Sequence, residues 1–142
     1  MKSVYEAVVT SQGGRQGHVR SSDGILDLDV SLPKSMGGNE EHTNPEQLFA
    51  AGYAACFENA VIHMARIKKL SADGSKVVAS VSLNPGEGGA LNLAVRLEVS
   101  LPQLDRETAE KLIAEAHKIC PYSNATRGNI DVQLTLAGGE NA

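Results

Sequence analysis

Apolar and polar residues alternate strictly along three segments of this chain, at residues 26–32, 91–101 and 130–136. A period of two residues places the apolar side chains on one face, which predicts half-buried antiparallel strands. Residues 77–83 show the same pattern and are joined to the segment at 91–101 by a run of turn residues, so a hairpin is predicted there. A second hairpin is predicted from residues 5–10, the turn at Gly13-Gly14 and residues 16–20, leading into the strand at 26–32.

Two helices are predicted between these strands. The first opens at Thr43, which has capping-box spacing to Glu46, and is predicted to extend to about Lys69. The second begins near Asp105 and ends at Cys120, because a residue that precedes proline is disfavoured in the helical conformation. Its predicted buried positions are Ala109, Leu112, Ile113, Ala116 and Ile119.

The first helix contains an uncharged run at residues 48–57. A helix that is apolar all round must be enclosed on every side, and one small sheet cannot do this, so a partner subunit is expected. The run is too short to span a bilayer. The N-terminus has no secretion-like segment, so a cytoplasmic location is expected and no membrane partner.

The length and net charge of the chain predict a single domain and argue against a nucleic-acid-binding protein. A chain of 142 residues is predicted to form one domain, spanning residues 1–142. The net charge of −4 and the aromatic content of 4% argue against nucleic acid as a partner, because such sites need basic or base-stacking surfaces. In a cytoplasmic protein a cysteine pair is more often catalytic, redox-sensing or metal-binding than a structural disulfide.

The chain has two cysteines in contrasting settings. Cys56 lies in the charge-free helical run and is expected to be buried, whereas Cys120 stands at a helix break before Pro121. This arrangement is typical of an attacking cysteine and its resolving partner. The alternative is two ordinary buried cysteines, since free cysteine is among the most buried residue types.

The segments around the two cysteines resemble the motifs of a known protein family. Residues 44–57 and 120–129 resemble the two cysteine motifs of the organic hydroperoxide resistance proteins, the Ohr branch of the OsmC/Ohr family, and Gly13-Gly14-Arg15 and the order of elements agree. The resemblance implies an α+β fold with antiparallel sheets packed around two main helices, in an intertwined homodimer with two sites at the subunit interface. It also implies a thiol-dependent peroxidase for organic hydroperoxides that uses no cofactor or metal and is reduced by a dihydrolipoyl-bearing protein.

The implied catalytic residues are Cys56, Cys120, Arg15 and Glu46. An unperturbed thiol has a pKa of about 8.5, so Cys56 needs a nearby cation to form the nucleophilic thiolate. By resemblance Arg15 supplies it and Glu46 holds Arg15. The thiolate attacks the peroxide, Cys56 becomes a sulfenic acid, and Cys120 condenses with it to a disulfide.

The position of Glu46 raises a question of subunit assignment. Glu46 and Cys56 are ten residues apart, about 15 Å along a continuous helix, so we expect Arg15 and Glu46 to serve Cys56 of the partner subunit. A kink near Gly52 or a long approach by Arg15 would instead close the gap within one chain.

Other interpretations remain open at this stage. Arg15 alone would be a solvated turn residue, and Glu46 alone a helix-capping residue. An enclosed apolar pocket also suits a non-catalytic dimer that carries a hydrophobic ligand. The four histidines are scattered and are interpreted as surface or packing residues, although two of them could join the cysteines in a zinc site. The histidines are His18, His42, His63 and His117, and the zinc set would be Cys56, His63, His117 and Cys120.

Overall fold

A computed structural model describes residues 2–138 of the chain. The fold is α+β, with six strands and three α-helices in this range. The backbone divides into two compact units, Met1–Leu48 (unit 1) and Phe49–Ala142 (unit 2), and the boundary falls inside the first helix. That residues 1–142 form one domain stays a prediction.

Unit 1 contains a three-stranded antiparallel sheet. Strands β1 (Val9–Gln12) and β2 (His18–Ser21) form the predicted hairpin, and β3 (Asp27–Asp29) pairs with β2. The connection between β1 and β2 begins at Gly13, whose φ of 86° suits a residue without a Cβ. The strand predicted at 26–32 is shorter than expected and its three residues are exposed, but Val30, on the predicted apolar face directly after β3, is buried.

Unit 2 contains a mixed three-stranded sheet. Strands β4 (Lys76–Pro85) and β5 (Leu91–Ser100) form the predicted antiparallel hairpin, with Lys76 paired to Ser100 and Pro85 to Leu91. Strand β6 (Val132–Leu136) lies parallel to β5, so the antiparallel prediction for residues 130–136 is wrong. The reason is the helical connection between β5 and β6, which returns the chain to the end of the sheet where β5 began.

Helix α1 (Pro45–Ile67) runs unbroken through Gly52. Its N-terminus is capped by Asn44, whose Oδ1 accepts a hydrogen bond of 2.8 Å from the backbone N–H of Gln47. The predicted capping box from Thr43 to Glu46 is therefore wrong. Thr43 instead donates its hydroxyl to the Gln47 side chain at 2.7 Å.

The C-terminus of α1 is two residues short of the predicted end. Lys69 adopts a left-handed backbone conformation with φ of 60°, and the N–H of Leu70 donates to the carbonyl of Ala65 at 2.8 Å. This is the bonding pattern of a Schellman motif, which satisfies a carbonyl left without a partner at the helix end.

The uncharged run of α1 is only partly enclosed within one chain. Tyr53 and Phe57 are fully buried, whereas Ala51 and Ala55 on other sides of the helix are exposed. The expectation that this run is enclosed on every side is thus not met by a single chain, and the partner subunit stays a prediction.

Helix α2 (Arg106–Ile119) buries four of its five predicted positions, all except Ile119, which is 42% exposed. The inward stripe passes from Ala116 to Cys120, four residues on, so it bypasses Ile119. Cys120 ends α2 as predicted, and a short helix that the sequence did not predict, α3 (Pro121–Thr126), begins directly after it. Within residues 2–138 no helix is both long and apolar enough to cross a membrane.

Candidate active site

The two cysteines lie side by side although they are 64 residues apart in sequence. Cys56 projects from the middle of α1, and Cys120 occupies the corner between α2 and α3. Both are free thiols, and their Sγ atoms are 3.8 Å apart. Since sulfurs in a disulfide are about 2.05 Å apart, an approach of roughly 2 Å would join them.

The two thiols differ in exposure, and the difference is the reverse of the expected one. Cys56 is half-buried, whereas Cys120 has no exposed surface at all. Cys120 is buried because it continues the inward stripe of α2, and Cys56 lies at the edge between the buried Phe57 and the exposed Ala55. Of the two cysteines, only Cys56 therefore retains exposed surface within one chain.

The surroundings of Cys56 in unit 2 do not favour its thiolate. Burial raises the pKa of Cys56, and the neighbouring Cys120 raises it further, while the backbone N–H of Tyr122 acts in the opposite direction as a donor to the sulfur. The net result is a pKa above the ordinary value. A nucleophilic Cys56 consequently requires positive charge from elsewhere.

Arg15 and Glu46 form a bidentate ion pair in unit 1. Arg15 lies in the 3₁₀ turn between β1 and β2, and Glu46 lies in the first turn of α1. The two Nη atoms donate to the two carboxylate oxygens at 2.7 and 3.1 Å, and this pairing raises the pKa of Arg15. Such a fork fixes the direction of the guanidinium and leaves its other N–H groups free to point away from Glu46.

The four predicted catalytic residues thus form two pairs in different units. The structure brings Cys56 to Cys120, and it brings Arg15 to Glu46. That Arg15 acts on Cys56 stays a prediction.

Three aromatic rings surround the α1 turn that precedes Cys56. Phe49 and Tyr53 lie one turn apart on α1, and Tyr122 of α3 packs on both, with ring centroids 6.2 and 5.6 Å away. The tip of Tyr122 lies against Gly52, where an added Cβ would stand 2.6 Å from its hydroxyl oxygen. A glycine at position 52 is therefore what allows Tyr122 to lie across α1.

A group of buried hydroxyls, which the sequence did not predict, lies where α1, α2 and α3 meet near Cys120. Tyr53 Oη is 2.9 Å from Ser123 Oγ and 3.3 Å from Thr126 Oγ1. His117 Nδ1 is 2.7 Å from the same Ser123 Oγ. No sequence pattern could have revealed this cluster, because Tyr53 and Ser123 are 70 residues apart and each residue alone looks like an ordinary helix position.

The histidines do not assemble with the cysteines around a metal. Across residues 2–138, no three His, Cys, Asp or Glu side chains are grouped closely enough to hold one. His117 packs against the Phe57 ring, in agreement with the packing role expected for it, and also bonds to Ser123. His18 is partly exposed on β2 and bonds to Asp27 and Asp29 of β3.

Known proteins resemble this chain along most of its length. Residues 37–135 match the family described as OsmC-like protein. The chain is 47% identical over 135 residues to the organic hydroperoxide resistance protein OhrB of Bacillus subtilis, covering 94% of this chain and 98% of that one. It is 47% identical over 138 residues to the organic hydroperoxide resistance protein of Xanthomonas axonopodis, covering 96% of each. The crystal structure of an organic hydroperoxide resistance protein from Legionella pneumophila superposes with a TM-score of 0.92 at 46% identity, covering 95% of this chain and 98% of that one.

Proposed function

Because this chain belongs to the OsmC-like protein family, within which its relatives are named for organic hydroperoxide resistance, we propose that it is a thiol-dependent peroxidase that reduces organic hydroperoxides to alcohols. The relatives' names support a role in peroxide detoxification. The chemical steps are argued from this chain's own residues.

One observation carries the proposal, namely that the thiol of the half-buried Cys56 stands 3.8 Å from that of the fully buried Cys120. The Cys56 thiolate attacks the terminal peroxide oxygen, the O–O bond breaks, and the alkoxide leaves as the alcohol after taking up a proton. Cys56 is then a sulfenic acid. Cys120 attacks its sulfur, a disulfide forms, and the hydroxyl departs as water. Because Cys120 is fully buried, we propose that the hydroperoxide reacts at Cys56 and that Cys120 only resolves the sulfenic acid.

The Cys56 thiolate must be stabilised, and the Arg15–Glu46 ion pair is proposed to do this. Burial raises the pKa of Cys56, so a cation close to the sulfur is needed at neutral pH. Arg15 is the proposed source, and Glu46 is proposed to fix its guanidinium so that a free N–H edge faces the reacting oxygens. The same positive charge would stabilise the departing alkoxide.

We place Arg15 and Glu46 beside Cys56 of a partner subunit. Helix α1 continues without a break from Glu46 to Cys56, so about 15 Å separates them along its axis. Ala51 and Ala55 are exposed and belong to the uncharged run at residues 48–57, so they offer a surface for a second copy of α1. Antiparallel packing of two such helices about a twofold axis would bring Glu46 of one chain to Cys56 of the other.

The proposal includes a dithiol reductant and a reducing compartment. A disulfide formed on each turnover must be opened by a thiolate, and a dihydrolipoyl group on another protein is the proposed donor. A cytoplasmic setting is part of the same proposal, because reductants of this kind are maintained there.

Turnover with dihydrolipoamide tests the activity. We expect cumene hydroperoxide and a fatty-acid hydroperoxide to be reduced far faster than hydrogen peroxide. Cys56→Ser should abolish the reaction, and Cys120→Ser should keep the first attack and then accumulate sulfinic acid on Cys56, seen by mass spectrometry. A wild-type protein that retains both free thiols after one equivalent of hydroperoxide would contradict the proposal and favour a hydrophobic-ligand carrier.

Mixed dimers test the subunit assignment. Chains carrying Arg15→Ala are combined with chains carrying Cys56→Ser. If Arg15 serves the partner, each mixed dimer has one complete site and about half the wild-type activity. If Arg15 serves its own chain, each site lacks one residue and the mixture stays inactive.

A further inference from the structure

The buried hydroxyl cluster joins three helices at the corner that holds Cys120. Tyr53 belongs to α1, His117 to α2, and Ser123 and Thr126 to α3. Tyr53 and Ser123 have no exposed surface and Thr126 is 3% exposed, so their hydrogen bonds are sheltered from water. Bonds of this kind are costly to lose, because the remaining partner is left buried without one.

One assignment of the protons satisfies every hydrogen bond of the cluster. Thr126 donates its hydroxyl proton to the carbonyl of Ser123 at 3.2 Å, so its Oγ1 is an acceptor toward Tyr53. Burial, and to a smaller extent the nearby Arg127, lower the pKa of His117. With the ring proton on Nδ1, His117 donates to Ser123 Oγ, Ser123 donates to Tyr53 Oη, and Tyr53 donates to Thr126 Oγ1.

The hydrogen bond between His117 and Ser123 joins the residues on the two sides of Cys120 in the sequence. His117 stands three residues before Cys120 on α2, and Ser123 stands three residues after it on α3. The bond of 2.7 Å between them closes the corner whose apex is Cys120. The bond from Tyr53 to Ser123 ties the same corner to α1, one turn before Cys56.

We propose that Ser123 is a positioning residue for the disulfide-forming step, because its hydroxyl holds the Cys120 corner against α1 and keeps the two sulfurs 3.8 Å apart. The inference rests on the proposed function for its biological meaning. The physical claim, that Ser123 favours closure of the Cys56–Cys120 disulfide, stands apart from peroxidase activity.

The first experiment uses no peroxide. Wild-type protein and Ser123→Ala are equilibrated with mixtures of reduced and oxidised dithiothreitol, and the disulfide fraction is measured by mass spectrometry after thiol trapping. We expect the equilibrium constant for the disulfide to fall about tenfold in Ser123→Ala, the equivalent of one buried hydrogen bond. Tyr53→Phe removes the bond from the other side and should produce a shift in the same direction.

Ser75→Ala is the matched control. It also removes a hydroxyl that bonds to a side chain of α1, since Ser75 Oγ lies 2.7 Å from Glu58. Glu58 follows Cys56 on α1, whereas Tyr53 precedes it. It should leave the dithiothreitol equilibrium within about twofold of wild type. If Ser123→Ala does not fold, Tyr53→Phe decides the question. An equilibrium unchanged in the folded variants, or shifted equally in Ser75→Ala, overturns the proposal.

Single-turnover kinetics separate this inference from the proposed function. With one equivalent of cumene hydroperoxide, Ser123→Ala should oxidise Cys56 at the wild-type rate and then form the disulfide about tenfold more slowly, with a longer-lived sulfenic acid. An equal slowing of both steps would contradict a positioning role. A wild-type protein that ignores the peroxide would refute the peroxidase proposal, and the dithiothreitol equilibrium would still test Ser123.

Discussion

Replacing Gly52 by alanine should have two opposing effects on stability: it favours helix α1, and it displaces the ring of Tyr122. In a helix interior this change ordinarily stabilises a protein by about 1 kcal/mol, because glycine loses more backbone entropy on folding. At Gly52 the new Cβ would stand 2.6 Å from the hydroxyl oxygen of Tyr122 and 3.1 and 3.2 Å from two of its ring carbons. The Tyr122 ring must therefore leave its place.

The cost of moving Tyr122 can be worked from its contacts. Its ring packs on Phe49 and Tyr53, and aromatic pairs of this kind contribute about 0.5–1.5 kcal/mol each. Losing both costs about 1–3 kcal/mol, which outweighs the helix gain. We expect Gly52→Ala to lower the free energy of unfolding by about 1 kcal/mol, and the same change in a Tyr122→Ala background to raise it by about 1 kcal/mol. The coupling energy is then about 2 kcal/mol.

Urea unfolding of the four proteins under reducing conditions, at one protein concentration, measures this coupling. Asn59→Gly and Asn59→Ala calibrate the glycine-to-alanine increment at an exposed position of the same helix. If Gly52→Ala stabilises the otherwise unaltered protein by the full calibrated increment, with a coupling below about 0.5 kcal/mol, the packing argument is refuted.

Three further predictions concern charge and selectivity. Hydrogen bonds to Asp29 and, to a smaller extent, Asp27 raise the pKa of His18. The stability that His18 adds relative to His18→Gln should therefore be complete below about pH 6.5, the ordinary histidine pKa, and should be lost as pH rises through the pKa of His18 in the folded protein. Urea unfolding midpoints measured across this pH range check this prediction. Arg15→Lys keeps the charge but loses the bidentate pairing, and should slow cumene hydroperoxide reduction at least about tenfold, whereas Arg20→Lys should not. Each methylene that the site buries should raise kcat/KM about fourfold across a series of alkyl hydroperoxides, and a flat series would contradict an apolar site.

Local patterns in the sequence predicted most of the elements correctly. The alternation at residues 91–101 identified β5 and its buried face, Val95, Leu97 and Val99, because a strand's period depends only on neighbouring residues. Pro121 predicted the end of α2 for the same reason, since its steric effect falls on the preceding residue. The two cysteine motifs were sufficient to indicate the family.

Features that depend on distant residues were decided only by the tertiary structure. The parallel direction of β6 follows from the path of the helices before it, and the burial of Cys120 follows from the stripe of α2 on which it lies. Asn44 rather than Thr43 caps α1 because the first helical turn begins one residue later than the capping box implied. The meeting of Tyr53, His117 and Ser123 has no local cause, because hydrogen bonds between side chains on three helices exist only after the helices have packed.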